Sequence, residues 1–327
     1  MKSKPFVSVD CDTLVFSSAA AVESRTIEVL HKPTGKSKRF QNRTEFKEVM
    51  KSKEKEITED YIIKDIQEAE DVSHALKLVK NAVEQIYDNF SDCEVVLSAT
   101  AENNFRDSLS YPTKYKGNRT SMLRPLLLKD AQNYLLNKYK ARKAVGYEVD
   151  DFTAILAYDA LAQGREAFLL SPDGDSRQFD ELKLGKYNSK PHDCISIQFM
   201  HEVSWSDKGF QSYGFPWMVM QHLTGDTSDG LKPTYLCKAR YGEKGCYNDL
   251  KNLNTPEEFV EFTIKKYKEW YPEPFEYVDW KGDTVRADWK FMLELYWMGT
   301  TMMRKEGELP NYWKFLEQKG ISYDYSN

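Results

Sequence analysis

The sequence predicts an α/β fold in which a mostly parallel sheet is flanked by helices. Short apolar runs typical of buried strands lie at 6–9, 94–99 and 167–171. Between the first two, residues 72–90 carry apolar side chains at helical spacing, which predicts an amphipathic helix. A third observation is the position of the acidic residues, which stand where the predicted strands stop.

These acidic residues indicate a metal site. The carboxyl ends of parallel strands open on one edge of a sheet, where α/β proteins bind ligands, and so many like charges crowd there only with cations. Oxygen ligands without a His or Cys cluster favour Mg²⁺ or Mn²⁺. The acids at element ends are Asp10, Asp12, Glu148, Asp150, Asp151, Asp173, Asp175, Asp226 and Asp229.

Length and composition narrow the class of protein. At 327 residues, 41% hydrophobic and 30% charged, the chain predicts one large domain with a smaller appendage. There is no run of eighteen apolar residues and no apolar signal region, so we expect a soluble, cytoplasmic protein that does not contact a membrane. Five cysteines without a CxxC pair favour reduced thiols over a disulfide framework or a zinc site.

The net charge of −5 conceals a segregation of charge along the chain. Residues 106–143 hold ten Lys or Arg against two acids, a local charge of +8, whereas residues 148–181 carry −7. A basic segment beside an acidic one suits a polyanion that is held by the first and cut by metals bound to the second. The alternative is two solvated faces of opposite sign.

Further elements are predicted from turn formers and periodicity. Strands at 26–30 and 38–40 flank Pro33-Thr34-Gly35 as an edge hairpin with a basic tip, for which contact with nucleic acid is the alternative. The other predictions are a mostly helical 41–66, a helix over about 122–139, a strand at 143–147, a strand pair over 195–203, a helix over 213–223 and an aromatic-rich helical tail.

Several of the acids also have purely structural interpretations. Either Asp150 or Asp151 is expected to cap a helix, and Asp173-Gly174-Asp175 is a common turn sequence. If the turn after Gly225 is helical, the side chains of Asp226 and Asp229 lie on the same face of that turn. The aromatic and methionine residues of the tail are expected to form a core; they include Met292, Leu293, Tyr296, Trp297, Met302 and Met303.

Five motifs, taken in order, resemble the flap-endonuclease-like 5′-nuclease family, and most closely the 5′-to-3′ exonucleases of short-tailed bacteriophages. The likeness fades after about residue 240. The motifs are Val9-Asp10-Cys11-Asp12-Thr13-Leu14-Val15-Phe16, Tyr115-Lys116-Gly117-Asn118-Arg119, Gly146-Tyr147-Glu148-Val149-Asp150-Asp151, Ser171-Pro172-Asp173-Gly174-Asp175 and Gly225-Asp226-Thr227-Ser228-Asp229-Gly230.

The resemblance implies a PIN-like catalytic core at 1–219, with a basic arch or clamp at 102–143, and a helix-three-turn-helix-like region at 220–327. It implies a hydrolase that cuts DNA, or an RNA·DNA hybrid, from a 5′ end or flap with two Mg²⁺ or Mn²⁺ ions. A phage setting would place this nuclease in DNA replication or in host DNA breakdown.

The resemblance also assigns roles to residues. Asp10, Glu148, Asp150 and Asp151 would bind the first cation, and Asp173, Asp175, Asp226 and Asp229 the second. Catalysis would fall to Lys116, Arg119 and Asp150. Contacts with nucleic acid would come from Arg106, Lys114, Tyr115, Lys116, Arg119, Arg124 and Lys232, with Tyr111 or Tyr115 stacking on a terminal base or serving a structural role.

Two departures from the family pattern stand out. An Asp of the phage relatives is replaced by Ala101, with Glu102 as a neighbouring substitute. Residues 231–240 replace a Gly-rich turn that binds phosphates and potassium, so the potassium site is in doubt.

Two other functions fit parts of the pattern. Asp10-Cys11-Asp12 resembles the nucleophile loop of haloacid-dehalogenase-type phosphatases, although the basic segment and Glu148 have no purpose there. A nucleic-acid binder of the nuclease family that has lost its activity is the second, supported by Ala101.

Overall fold

The computed structural model describes residues 3–120 and 122–323. The strands are β1 (Phe6–Asp10), β2 (Glu23–His31), β3 (Lys36–Phe40), β4 (Tyr61–Ala69), β5 (Glu94–Glu102), β6 (Arg142–Val145), β7 (Ala167–Leu170), β8 (Lys183–Gly185), β9 (Ile195–Ser196), β10 (Ser204–Ser206), β11 (Gly209–Gln211), β12 (Phe275–Val278) and β13 (Thr284–Ala287). The α-helices are α1 (Asp12–Ala20), α2 (Arg43–Ser52), α3 (Val72–Asn89), α4 (Leu128–Tyr139), α5 (Val149–Ala162), α6 (Phe215–Thr224), α7 (Glu243–Leu250), α8 (Pro256–Trp270), α9 (Trp289–Thr300) and α10 (Tyr312–Gln318).

The chain divides into two compact units. Of the described residues, the first unit comprises 3–12, 84–120, 122 and 140–323, and the second comprises 13–83 and 123–139. The predicted boundary at residue 219 stays a prediction.

The first unit contains a six-stranded sheet in the order β6-β5-β1-β7-β8-β9. All neighbours are parallel except β8 and β9. In the centre, Val9 of β1 lies beside Leu97 on one side and Leu170 on the other. The predicted α/β class with a mostly parallel sheet is therefore confirmed, and β1, β5 and β7 end at the same edge.

Helix α5 packs against this sheet through small residues. Ala154, Ala157 and Ala160 are buried in a core with Phe6 and Leu169. The helix begins after Glu148, whose backbone N–H donates to the Asp151 carboxylate at 3.0 Å. Neither Asp150 nor Asp151 is the N-cap residue, so that prediction is wrong by two or three residues.

The C-terminal helices of the first unit enclose an aromatic core, as the tail sequence predicts. Trp297 and Tyr296 are buried with Met292 and Leu293. His222 of α6 lies among these rings, and burial lowers its pKa to about 3. The hairpin of β12 and β13 interrupts the helical tail.

The second unit contains an antiparallel sheet in the order β3-β2-β4. One face of this sheet packs on α2 through a core that includes Ile27, Phe40 and Phe46. The prediction of mostly helical structure over 41–66 is wrong beyond α2, because residues 61–66 belong to β4, where Ile62, Ile63 and Ile66 pair with residues of β2.

Two other predicted elements differ in extent. Helix α4 begins at Leu128 because Pro125 disfavours helix in the residue before it. Only residues 195–196 of the predicted strand pair join the sheet, since the Gln198 N–H turns back to donate to the His201 ring.

No helix long and apolar enough to cross a membrane lies within 3–120 or 122–323.

Candidate metal centre

Asp10 lies at the carboxyl end of β1, between β5 and β7, and its side chain is 3% exposed. One carboxylate oxygen accepts the Asp12 N–H at 3.0 Å and the other accepts the Ser171 hydroxyl at 3.2 Å. Burial raises the pKa of Asp10, and the charge of Asp173 raises it further. The hydrogen bonds from Asp12 and Ser171 lower this pKa, but they do not cancel the increase.

The carboxyl group of Asp150, in the first turn of α5, lies within interaction distance of that of Asp10. Burial raises the pKa of Asp150 well above its ordinary value, and the charges of Asp10 and Asp173 raise it further. Two ionised carboxylates have no donor between them, so this pair requires either a shared proton or a cation.

Asp12 is a third member of this group, and it was left out of the predicted ligands. Its carboxylate accepts the Thr100 N–H at 2.8 Å, where the chain takes a left-handed turn with φ 65°. Burial, followed by the charge of Asp10, raises the pKa of Asp12 to about 6. The signal in the sequence is the Asp-Cys-Asp spacing directly after β1.

A second group of carboxylates lies near Asp175. Burial, together with the charges of Asp173 and Asp226, raises the pKa of Asp175 to about 8. The Gln221 side chain of α6 donates to this carboxylate. The charge of Asp173 raises the pKa values of Asp10 and Asp150 as well as that of Asp175. Asp173 therefore lies between the two groups of carboxylates.

Asp226 is positioned by a turn rather than by the helix that the spacing suggested. Its carboxylate accepts the Ser228 N–H at 2.7 Å, a local turn contact. Gly225 has φ 76°, and a Cβ there would lie 2.2 Å from the Leu231 carbonyl oxygen. A side chain at that position would displace the loop that carries Asp226.

Two further predicted ligands, Glu148 and Asp229, lie against cations. Lys116 donates to Glu148, and Arg119 lies 2.5 Å from Asp229. Burial would raise the pKa of Glu148, but the charges of Lys116 and then Arg106 outweigh it and the pKa is lowered. Burial likewise would lower the pKa of Lys116, and the two carboxylates raise it instead.

The structure contradicts three of the predicted roles. Asp151 binds the guanidinium of Arg106 through both carboxylate oxygens, at 2.6 and 3.0 Å, and both residues are 0% exposed. Asp151 is thus a structural ion-pair partner rather than a metal ligand, and Arg106 cannot reach a phosphate. Tyr115 and Tyr111 are 2% and 1% exposed, so neither can stack on a base.

Other predicted residues line an open cavity of about 920 Å³ in the first unit. Its wall includes Asp173, Asp175 and Asp226 together with Lys114 and Lys232. This places two predicted nucleic-acid contacts beside the second group of carboxylates.

Two other residues considered in the sequence analysis, Arg124 and Glu102, do not line this cavity. Arg124 belongs to the second unit, where its carbonyl oxygen accepts from Gln67. Glu102 forms an ion pair with Lys143 at 3.3 Å and its side chain is 57% exposed, so it does not substitute for the acid missing at Ala101.

The donor set fits divalent cations by its chemistry. Every candidate ligand is a carboxylate oxygen, and burial together with neighbouring carboxylates raises the pKa values of Asp10, Asp150 and Asp175, as expected where a cation would balance the charge. Among residues 3–120 and 122–323, however, no group of three or more His, Cys, Asp or Glu side chains already has an arrangement that holds a metal ion.

No family model matches the chain, and no curated protein does. Solved structures from bacteriophage T5 are similar to it. They include the D15 protein with metal ions (16% identity over 57% of this chain and 70% of that one, TM-score 0.40). A T5 5′-exonuclease with bound zinc has 15% identity over 60% and 77%, with a TM-score of 0.40.

A third structure is a variant of the T5 D15 flap endonuclease in a pseudo-enzyme–product complex with DNA and metal ions. Its identity is 14% over 61% of this chain and 77% of that one, with a TM-score of 0.36. The printed names of the second and third structures are those of a 5′-exonuclease and a flap endonuclease.

Proposed function

We propose that the chain is a divalent-metal-dependent nuclease that hydrolyses phosphodiester bonds of DNA from a 5′ end or flap. One observation carries this proposal: carboxylates from β1, α5, the loop after β7 and the loop after α6 lie close enough together for their charges to raise the pKa values of Asp10, Asp150 and Asp175, beside Lys116 and Arg119. The order of the motifs supports the 5′-to-3′ direction.

The carboxylates divide into two sets around Asp173. Asp10, Asp12 and Asp150 would bind one Mg²⁺ or Mn²⁺, and Asp175 with Asp226 would bind another. Bound divalent ions would supply an activated water and would neutralise charge on the phosphate and the leaving oxygen.

Lys116 and Arg119 are the protein groups that would hold the phosphate. Each already lies against a carboxylate at the border of the acidic group, Glu148 or Asp229, so each is oriented before substrate arrives. Donors fixed in this way lose little freedom when they bind the phosphate, which favours the transition state.

The cavity would take the DNA backbone. Lys114 and Lys232 on its wall are point charges suited to phosphates. Binding would then be independent of sequence and would weaken steeply with salt. The same contacts would accept an RNA·DNA hybrid, and a role in phage DNA replication or host DNA breakdown would follow from this activity.

Incubation of the protein with 5′-labelled and 3′-labelled duplexes, with Mg²⁺, Mn²⁺ or EDTA, tests the proposal. We expect short labelled products from the 5′-labelled end only, and none in EDTA. Inactivity in both metals with intact DNA binding would favour the inactive binder instead. Covalent phosphate on Asp10, found by mass spectrometry after incubation with a phosphate ester, would favour the phosphatase.

A further inference from the structure

A lysine-rich surface in the second unit takes no part in the candidate metal centre. Residues 32–55 hold nine Lys or Arg against three acids. They span the tip of the β2–β3 hairpin, strand β3, helix α2 and the turn after it. We call the seven exposed lysines of this segment the lysine patch; they are Lys32, Lys36, Lys38, Lys47, Lys51, Lys53 and Lys55.

Two lysines of β3 project on the side of the sheet that α2 covers. Lys36 and Lys38 alternate with Phe40, whose ring lies 5.2 Å from that of Phe46 in α2. The Lys38 ammonium lies 5.1 Å from the centre of the Phe40 ring, which confirms this side. Two residues along a strand span about 7 Å, so β3 presents two charges in a row.

Helix α2 adds a second row. Phe46 and Met50 are buried against the sheet, while Lys47 and Lys51 are exposed one helical turn apart. Residues at this spacing lie about 6 Å apart on one helix face. The two rows therefore belong to the same side of the sheet.

The two arginines of the segment differ from its lysines. Arg43 donates to Asp65 at 2.5 and 2.8 Å, and Arg39 to Glu68 at 3.0 Å. Within the described residues, none of the seven lysines forms an ion pair. The acids of β4 thus pair with the two arginines, while the seven lysines keep their charges exposed and unpaired.

We propose that the lysine patch binds the phosphate backbone of nucleic acid as a second, sequence-independent contact surface. Two rows of unpaired ammonium groups on one side of a sheet suit a regular polyanion. The hairpin tip carries no large apolar side chain of the kind that inserts into a membrane interface. The choice of nucleic acid rests on the proposed nuclease function.

Binding of the full-length protein to a fluorescent duplex in EDTA, measured by anisotropy between about 50 and 200 mM salt, tests this surface. The variants are Lys36→Ala/Lys38→Ala and Lys47→Ala/Lys51→Ala. A charge-matched control, Lys64→Ala/Lys77→Ala, removes two exposed lysines of the same unit outside the patch.

Each patch variant should weaken binding and lower the slope of log affinity against log salt by about 2, since one lysine–phosphate contact contributes about 1. The control should keep the slope of the unmodified protein, and the rate of cleavage of bound DNA should not change in any variant.

Unchanged slopes in both patch variants would overturn the inference. The lysines would then serve only to prevent aggregation through an exposed edge strand. Patch-dependent binding to phosphatidylserine vesicles with unchanged DNA binding would overturn it in favour of a membrane surface. If the unmodified protein does not cleave DNA but the patch variants still lower the slope, the proposed function fails while this surface stands.

Discussion

Arg106 and Asp151 form a fully buried, bidentate ion pair that links the start of α5 to the segment after α9. Arg106 also donates to the Thr301 carbonyl at 2.8 Å, and Asp151 accepts the Met303 N–H at 2.8 Å. The pKa of Arg106, which burial alone would lower, is raised well above its ordinary value by Asp151. The pair therefore fixes the position of the first turn of α5, which also carries Asp150 of the candidate metal centre.

Removing one partner of this pair should destabilise the fold. Arg106→Met leaves the carboxylate buried without a cation, which costs about 3–5 kcal/mol in the free energy of unfolding. Urea denaturation would measure the loss, with Arg286→Met, at an exposed position, as the control. If Asp151→Asn unfolds like the unmodified protein yet loses cleavage, Asp151 is a metal ligand after all.

Asp150→Asn or Asp173→Asn should abolish cleavage while DNA binding is retained, because each removes a carboxylate charge without changing side-chain volume. Cleavage of the 5′-labelled duplex and its affinity in EDTA are the two measurements. Asp159→Asn, on the exposed side of α5, is the control. Turnover retained in both variants would count against the site.

Lys116→Ala should lower turnover by about 10²–10³-fold, the range for loss of one charge-stabilising donor, with a smaller effect on affinity. Lys114→Ala should do the opposite, since Lys114 lines the cavity and forms no ion pair among the described residues. Single-turnover rates and dissociation constants separate the two. Equal rates for Lys116→Ala and the unmodified protein would remove Lys116 from catalysis.

The acidic groups should make stability fall with rising pH in the absence of metal. Asp175 has a folded pKa of about 8 against an unfolded value of 3.8, so between these values the folded state holds the extra proton. Its contribution to stability is complete below about pH 4 and is lost as pH rises through about 8. Asp12, with a pKa of about 6, loses its contribution earlier.

Thermal unfolding in EDTA at pH 5 and pH 8 would measure this dependence. Asp175→Asn should raise Tm at pH 8 relative to the unmodified protein, and Asp159→Asn should not. Mg²⁺ should raise Tm more at pH 8 than at pH 5, because ionised carboxylates bind it. A Tm that increases from pH 5 to pH 8 only in the unmodified protein would contradict the assignment.

Much of the candidate site was predictable because strand ends are local features. Asp10 follows four apolar residues, and Asp173 follows the run of β7, so parallel pairing alone brings them to one edge. The strand β4 was not predictable in the same way. Its isoleucines, at positions 62, 63 and 66, do not alternate with polar residues, and only pairing with β2 makes the segment a strand.

The sequence by itself identified acids, such as Asp10 and Asp173, that meet at one edge of the sheet, since the order of the parallel strands fixes the edge at which each emerges. Only the tertiary structure decided which of them are neutralised. Asp151 is paired with Arg106, and Glu148 with Lys116, across 45 and 32 residues of chain. Such partners depend on the packing of distant segments and on side-chain direction, neither of which is encoded in the local pattern.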